Sequence, residues 1–263
     1  MTRIVLVADD YGISPAVNRA IRELMAMGRI SATSAMMPAP ALDAAEVRAL
    51  LDAAERPRIG LHLTLTAPFQ PLTGGAFRSI GRTALAAAAG RIDRAWVARE
   101  IHAQFDAFGA AFGRPPDYVD GHQHVHLLPP VAEVLLPAMK AFAPNAWARQ
   151  CGRPAAARTA APKALVLDTV SRGFRRRAAT HDIATNPAFA GAYAFRPDAR
   201  YADLFPGFLT GMEDGGVIMC HPGVVDDALR ALDPLTTLRE HEFAYFRSDA
   251  FPALLDARGI RLA

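Results

Sequence analysis

Short apolar segments alternate with segments of helical periodicity along this chain. The segments 3–8 (RIVLVA), 31–38 (SATSAMMP) and 117–121 (DYVDG) have the length and composition of strands. In 59–66 (IGLHLTLT), apolar residues occupy alternate positions, so one face of the predicted strand is apolar and the other carries His62. Three later apolar segments are also predicted to be strands: 164–168 (ALVLD), 216–220 (GVIMC) and 260–262 (IRL).

Helical patterns separate these strands. The first follows Ser14-Pro15, an N-cap with proline in the first turn, and is expected to end at Gly28. Three more are predicted: residues 42–54, a helix with an aromatic and aliphatic face over 97–112 that Gly113 ends, and residues 131–142. Strand and helix in regular alternation predict an α/β protein with a mostly parallel sheet, open or closed into a barrel.

The region around 68–94 breaks this alternation. Its prolines and glycines, with an alanine-rich patch inside, predict an irregular excursion or lid and not a domain boundary. The sequence has no internal repeat and no linker composition. We therefore expect residues 1–263 to form a single domain.

Composition narrows the class of protein. The 263 residues carry a formal net charge of +3, and the basic pI of 9.1 comes from dispersed arginines, which argues against a nucleic-acid-binding stripe. The densest basic run, 172–177, is interpreted as a solvated helix face, with a phosphate contact as the alternative. Two cysteines outside any CxxC spacing predict a reducing, cytoplasmic location, and no window approaches the about 18 apolar residues of a membrane span. A homodimer stays open, since the surface composition does not indicate a dimer face.

Acidic and histidine side chains stand where several predicted strands end. Asp9 and Asp10 end the first strand, His62 lies on the polar face of the 59–66 strand, Asp120 and His122 follow the DYV segment, and His221 follows GVIMC. In parallel α/β folds the carboxyl ends of strands open on one face, where the reactive residues gather. Four separate segments therefore deliver candidate residues to the same end of the sheet.

Each of these residues also has a structural interpretation. Asp9-Asp10 suits an ordinary turn, His62 suits a hydrogen-bonded interior histidine, and His221-Pro222-Gly223 suits a turn. In the run His122-Gln123-His124-Val125-His126, the following Leu-Leu-Pro-Pro indicates that the chain leaves the strand. Only one or two of its three histidines can then share a centre.

Taken together, the residues favour a catalytic metal. One carboxylate and two imidazoles form a facial donor set that leaves positions open for water and substrate. Imidazole favours zinc over magnesium, which prefers oxygen ligands. One of the two adjacent aspartates would bind the cation, and its neighbour would accept a proton from water.

The motifs ADDYG with Ser14 and Asn18, GLHLTLT, DGHQHVH and MCHPG, in that order, resemble the YdjC-like carbohydrate deacetylases. That family includes chitooligosaccharide deacetylases and hopanoid-associated deacetylases. The tail around Asp233, Arg239 and Glu242 is similar too, so the resemblance covers nearly the whole chain. It implies a distorted (β/α) barrel with fewer than eight regular units, related to the polysaccharide-deacetylase barrels.

The resemblance also implies roles for individual residues. Asp10, His62 and His122 match the metal ligands, Asp9 the general base and His221 the general acid. The metal usually assigned in the family is Mg²⁺, whereas the ligand chemistry favours Zn²⁺, so the identity of the one divalent ion stays open. The implied activity is removal of an N-acetyl group from an amino sugar, an N-acetylated oligosaccharide or a glycolipid.

Further residues are candidates for contacts with the substrate. Tyr11 stands where the family commonly has phenylalanine, His124 and His126 are expected to support the loop or line the cleft, and Phe189 and Tyr193 are candidates for stacking on a sugar ring or for core packing.

Two other functions are weighed against deacetylation. An amidohydrolase acting on cyclic amides would carry HxH at the end of its first strand, where this chain has two aspartates. A sugar-binding protein with a structural metal would close the ion with four protein ligands or keep Asp9 away from any cleft.

Overall fold

The computed structural model describes residues 1–157 and 162–263, and its strands form a curled, all-parallel half-barrel sheet flanked by helices. The strands are β1 (Thr2–Tyr11), β2 (Ala32–Met37), β3 (Arg58–Leu63), β4 (Tyr118–Gly121), β5 (Trp147–Ala148), β6 (Phe189–Ala190), β7 (Gly216–Cys220) and β8 (Ile260–Leu262). The helices are α1 (Pro15–Ala26), α2 (Ala44–Leu51), α3 (Ile80–Ala88), α4 (Arg94–Phe112), α5 (Pro129–Phe142), α6 (Pro162–Thr180), α7 (Tyr201–Phe208), α8 (Asp227–Leu232), α9 (Thr237–Arg247) and α10 (Ala250–Ala257).

The order of the strands places β1 in the interior of the sheet, between β2 and β7. The order is β5-β4-β3-β2-β1-β7-β6, and β8 pairs with the first residues of β1, before β2 begins to pair at Val7. From Ile4 to Tyr11 every residue of β1 is buried, as expected for a strand covered on both faces. The predicted parallel α/β architecture is confirmed.

The two edges of the sheet approach each other through irregular chain. The amide of Ala148, at the end of β5, donates to the carbonyl of Ala184 at 2.9 Å, and the amide of Phe189 in β6 donates to the carbonyl of Gly152 at 3.1 Å. These contacts link the chain near the two edges of the half-barrel, although β5 and β6 do not pair with each other.

Local signals for the helix ends agree with the structure. The hydroxyl of Ser14 accepts a hydrogen bond from the amide of Val17, which caps α1. Gly28 and Gly113 follow α1 and α4 with φ of 64° and 67°, the left-handed conformation in which helices commonly end at glycine.

The predicted strand over 164–168 is wrong, because these residues belong to α6. Leu165 and Val166 are both exposed, at 46% and 63%, whereas Asp168 is buried, and farther along the helix Phe174 and Ala178 are buried four residues apart. A short apolar run does not distinguish strand from helix, and here the helical spacing of the buried residues decides. Arg172, Arg175 and Arg176 lie exposed on this helix, in agreement with the solvated face expected for the basic run.

The irregular region 68–94 leaves the sheet after β3 and contains helix α3. It is tied to α4 by the buried carboxylate of Glu100, which accepts hydrogen bonds from the amides of Leu72 and Thr73 at 3.1 and 2.9 Å. Gln104, one turn further along α4, bonds to both the amide and the carbonyl of Thr64. The excursion is therefore anchored at its beginning.

Among the described helices, none combines the length and the apolar character needed to cross a bilayer.

Candidate active site and metal centre

The carboxyl ends of β1, β3, β4 and β7 open into a cavity of about 760 Å³. Its wall includes five of the six residues singled out at the strand ends: Asp9, Asp10, His62, His122 and His221. The sixth, Asp120, lies behind His62 and contacts its ring. Residues that lie far apart in sequence thus meet in one place, as the parallel topology predicts.

A break in β1 brings both adjacent aspartates to this cavity. On a regular strand, neighbouring side chains point to opposite faces of the sheet. Asp10 instead has a left-handed backbone, with φ of 68°, and the pairing with β2 shifts register between Ala8 and Tyr11. Such irregularities redirect side chains next to active sites, and here the change lets Asp9 and Asp10 line the same wall.

Asp10, His62 and His122 form a compact group of donor atoms that could hold a metal ion. Oδ1 of Asp10 lies 3.2 Å from Nε2 of His62 and 3.0 Å from Nδ1 of His122. All three side chains are buried, and the ligand atoms lie within 4.8 Å of one another. One carboxylate and two imidazoles from three strand ends are a donor set suited to a divalent transition metal.

The surroundings of His62 fit a metal ligand. Its Nδ1 donates to Oδ1 of Asp120 at 2.6 Å. Burial opposes the charged form of this ring, but the carboxylates of Asp120 and Asp9 and the hydrogen bonds to Asp10 and Asp120 raise the pKa of His62 to about 10. Nε2, which faces Asp10, would therefore give up its proton when a metal binds. Oδ2 of Asp120 in turn accepts from the hydroxyl of Ser34 at 2.6 Å and pairs with Arg149. A carboxylate that orients a histidine in this way is typical of metal sites.

Asp10 offers one oxygen to such an ion because its other oxygen is already engaged. Nη2 of Arg239 donates to Oδ2 of Asp10 at 2.6 Å, and the same nitrogen lies 2.8 Å from Oδ2 of Asp233. Burial opposes ionisation of Asp10, but the charge of Arg239 outweighs it and holds its pKa well below the usual value. Oδ1 therefore faces both histidines as part of an ionised carboxylate.

Asp9 is held as a carboxylate by Arg149. Nη1 and Nη2 of Arg149 donate to Oδ2 and Oδ1 of Asp9 at 2.7 and 2.6 Å, a bidentate pair that leaves Asp9 2% exposed. Burial raises the pKa of Asp9, but the charges of Arg149 and His62 and the hydrogen bonds of Arg149 lower it to about 2. Asp9 is therefore an ionised carboxylate at neutral pH.

His221 faces Asp9 across the cavity. Its Nε2 lies 4.0 Å from Oδ2 of Asp9, and its ring meets the edge of Phe195 with the centroids 5.7 Å apart. Burial lowers the pKa of His221, and the nearby carboxylates of Asp10 and Asp9 offset this only in part. The Nδ1 atom is buried and has no hydrogen-bond partner among the residues that the structure describes.

The three histidines of the HQHVH run diverge, because Gln123 and His124 adopt left-handed backbones inside a short 3₁₀ segment. His122 turns to Asp10, and His124 lines the cavity with its Nδ1 3.6 Å from the sulfur of Cys151. His126 is fully buried, and its Nε2 donates to the carbonyl of Arg149 at 2.8 Å. Each histidine thus has a different environment.

The other proposed substrate contacts lie behind the cavity wall. The hydroxyl of Tyr11 donates to the carbonyl of Glu46 at 3.1 Å, in contact with α2. Phe189 is fully buried and packs against His124, with the ring centroids 5.8 Å apart. Tyr193 is partly buried, and its hydroxyl donates to Oε1 of Glu242 at 2.8 Å. Of the five residues, His124 lines the cavity.

Arg149 is the main residue of the site that the sequence did not indicate. It follows the two-residue strand β5, is fully buried and pairs with both Asp9 and Asp120. The sequence does contain a signal for Arg149. It directly follows the apolar pair Trp147-Ala148, as other candidate residues directly follow their strands. Arg239 and Glu242 belong to the tail that resembles the family, and the resemblance assigns them no contacts.

Two observations bear on the alternative of a closed structural metal site. Asp9 lines the cavity instead of lying away from it. In the described parts of the chain, no fourth histidine, cysteine or acidic side chain lies within 4.8 Å of all three donor atoms. Both features are those expected of an open site.

Comparisons of the sequence with known proteins find relatives over most of the chain. The sequence model of the family described as YdjC-like protein matches residues 3–257. A chitooligosaccharide deacetylase of Yersinia pestis (strain Pestoides F) is 29% identical over 274 residues, covering 100% of this chain and 98% of the relative. A human carbohydrate deacetylase is 29% identical over 246 residues, covering 84% of this chain and 75% of the relative.

Solved structures share the fold. A protein from Enterococcus faecalis V583 with a proposed role in cellobiose-phosphate cleavage superposes with a TM-score of 0.79 at 20% identity, covering 100% of this chain and 97% of that one. A lactam utilization protein from Thermus thermophilus reaches a TM-score of 0.50 at 17% identity, covering 100% and 99%. At these identities the similarity concerns the fold alone.

Proposed function

Since this chain belongs to the YdjC-like protein family, we propose that it is a metal-dependent hydrolase that removes the N-acetyl group from an amino sugar or an N-acetylated saccharide. The products would be acetate and a free amine. The observation that carries the proposal is the meeting of Asp10, His62 and His122 with Asp9 and His221 on the wall of one cavity. The names of the relatives, which are carbohydrate deacetylases, support the same reaction.

Asp10, His62 and His122 would hold one divalent ion. When bound there, such an ion supplies Lewis-acid chemistry, because it polarises an amide carbonyl and makes water easier to deprotonate. The two imidazole donors favour Zn²⁺, and the family resemblance favours Mg²⁺. Acetate release measured with each ion distinguishes between the two.

Asp9 would act as the general base. Its carboxylate takes the proton of the attacking water as the water oxygen bonds to the acetyl carbon. Arg149 keeps that carboxylate ionised and fixes its direction through two hydrogen bonds. The same guanidinium also pairs with Asp120, the carboxylate that orients His62. Arg149 therefore contacts both the proposed base and the residue that supports a metal ligand.

His221 would act as the general acid. When the carbon–nitrogen bond breaks, the departing amine takes a proton from Nε2, the nitrogen that lies 4.0 Å from Asp9. Acid and base thus stand on two sides of one space, as an amide hydrolysis requires. General acid–base groups of this kind typically contribute about 10² to 10⁴ in rate.

We also propose a cytoplasmic location. The two free cysteines, Cys151 and Cys220, are both buried, which supports a reducing compartment.

The test is an acetate-release assay over N-acetylglucosamine, its oligomers and N-acetylated glycolipids, with Mg²⁺ and Zn²⁺ in parallel. Asp9→Asn should keep the bound ion and lose about 10² to 10⁴ in kcat, whereas His62→Ala should lose both the ion and the activity. Metal content is measured by elemental analysis of the purified proteins.

Matched controls come from helix α4. Asp106→Asn and His102→Ala change exposed residues of the same types, and both should retain metal and activity. If Asp9→Asn hydrolyses as fast as the wild type, Asp9 is not the base. Absence of acetate from every substrate, with the ion bound, would contradict the proposed activity.

A further inference from the structure

Two buried ionisable residues on helix α9 take no part in the proposed proton transfers, although each contacts a residue of the candidate site. Arg239 and Glu242 lie three positions apart on this helix, and both are fully buried. Residues at this spacing share one helix face, and here that face is turned to the active site.

Arg239 connects the candidate metal ligand to the rim of the cavity. Its Nη2 contacts Asp10 and Asp233, and its Nε donates to the carbonyl of Leu235 at 2.9 Å. Asp233 and Leu235 both belong to the cavity wall. One guanidinium therefore holds Oδ2 of Asp10 and the loop that faces a bound substrate.

Glu242 connects the candidate general acid to a second part of the wall. Its Oε2 accepts a hydrogen bond from the backbone amide of His221 at 2.5 Å, and its Oε1 accepts from the hydroxyl of Tyr193 at 2.8 Å. Tyr193 stands two residues before Phe195, which lines the cavity and packs against the ring of His221. A single carboxylate thus holds both the residue that carries the acid and the segment that covers it.

A contribution to stability does not by itself explain why Arg239 and Glu242 are present at buried positions. A buried ion pair or carboxylate is often no more stabilising than apolar residues of the same volume, because removing charge from water is costly. The contacts of the two side chains offer another reason for their presence on one helix face. Arg239 contacts the side chain of Asp10, and Glu242 contacts the backbone amide of His221.

We infer that α9 is the positioning element of the active site: Arg239 directs Oδ1 of Asp10 to the metal, and Glu242 fixes His221 for proton donation. This inference rests on the proposed function. The first turn of α9 also reaches the cavity through Thr237 and Leu238, so one rigid helix sets the metal ligand, the acid and part of the substrate wall relative to each other.

The role proposed for Arg239 is tested by measuring the binding of Co²⁺ in the absence of any substrate. Arg239→Lys keeps the positive charge but loses the forked contact to Asp10, Asp233 and Leu235. We expect its affinity for Co²⁺, measured by calorimetry, to fall about 10- to 100-fold, with an altered visible spectrum of the bound ion. Arg247→Lys, an exposed change on the same helix, should match the wild type in both measurements.

The role proposed for Glu242 is tested with a pair of variants. Glu242→Met removes both hydrogen bonds and should lower kcat about 10- to 100-fold while Co²⁺ affinity stays within about twofold of the wild type. Glu242→Gln keeps an oxygen for the amide of His221 and should restore most of kcat. Glu240→Gln, exposed on the same helix, is the control.

Hydrogen exchange gives a readout that does not depend on activity. The amide of His221 should exchange faster in Glu242→Met than in the wild type, and Glu242→Gln should protect it again. Circular dichroism establishes that each variant is folded before it is compared.

The outcomes separate this inference from the proposed function. Wild-type Co²⁺ affinity and spectrum in Arg239→Lys, or wild-type kcat and exchange in Glu242→Met, would overturn the inference. If the wild type deacetylates nothing, the proposed function fails, and Co²⁺ binding and hydrogen exchange still decide whether α9 positions the two residues.

Discussion

Arg149 and Arg239 each lie between two carboxylates, at least one of which lines the cavity. Arg149 pairs with Asp9 and Asp120, and Arg239 pairs with Asp10 and Asp233. Carboxylates that are buried side by side would otherwise repel each other or take up protons. The two arginines allow the adjacent aspartates to stay ionised and to take different roles.

His126 shows how burial of a single residue creates a pH dependence. Burial, followed by the charge of Arg149, lowers its pKa to about 3, although its bond to the carbonyl of Arg149 acts in the opposite direction. The unfolded chain, with an ordinary histidine pKa of about 6.5, therefore binds the extra proton between pH 6.5 and 3. The contribution of neutral His126 is fully present above pH 6.5 and is lost as the pH falls.

We predict that His126→Gln, which keeps a donor for the carbonyl of Arg149, loses this dependence. Between pH 7.5 and 4.5 the wild type should lose up to about 3 kcal/mol more unfolding free energy than the variant. Urea denaturation at the two pH values measures the difference. Equal losses in both proteins would show that His126 is not the cause, and His102→Gln on the surface should behave like the wild type.

At the scale of secondary structure, the end of β1 is the critical element. Asp10 and Gly12 both have positive φ, at 68° and 98°, and the pairing of β1 with β2 shifts register between Ala8 and Tyr11. A Cβ atom on Gly12 would lie 2.7 Å from the Cβ of Ala39. The geometry that presents both aspartates thus depends on a residue without a side chain.

We predict that Gly12→Ala destabilises the protein by about 1–3 kcal/mol and lowers acetate release, because both strain and a steric contact act at the break. The control is Gly81→Ala in helix α3, where nothing lies within 4 Å of the added Cβ and alanine should stabilise by about 0.5–1 kcal/mol. Urea denaturation measures both. A Gly12→Ala variant as stable as the wild type would mean that the break tolerates a side chain.

For the molecule as a whole, the candidate metal centre lies between separate strands. Its three donor residues come from β1, β3 and the end of β4, so an ion bound there would join elements that are otherwise held by the sheet and the core. An ion that binds only the folded state raises the unfolding free energy by mass action.

We therefore expect the melting temperature to rise when Zn²⁺ or Mg²⁺ is added to metal-free protein. At a concentration 100 times the Kd, the gain should be about 2.7 kcal/mol. Differential scanning calorimetry measures the shift, which should vanish in His62→Ala and persist in His102→Ala. An equal shift in His62→Ala would place the ion elsewhere.

Periodicity and strand-end residues predicted much of this protein. The alternation of strand and helix predicted a parallel sheet, because each apolar segment must be covered on both faces by helices. The same topology predicted that Asp9, Asp10, His62, His122 and His221 would meet, since the carboxyl ends of parallel strands share one edge. The sequence by itself thus determined the architecture and these five residues of the cavity wall.

Tertiary structure decided how those residues are held. The left-handed turn at Asp10, the divergence of the three histidines and the helical state of 164–168 depend on packing between distant segments, which local patterns do not record. Arg149 and Arg239 reach the aspartates across 140 and 229 residues of chain, and long flexible side chains of this kind have no periodic signature. Ion-pair partners are selected by distance in space and by burial, so only the folded chain could identify them.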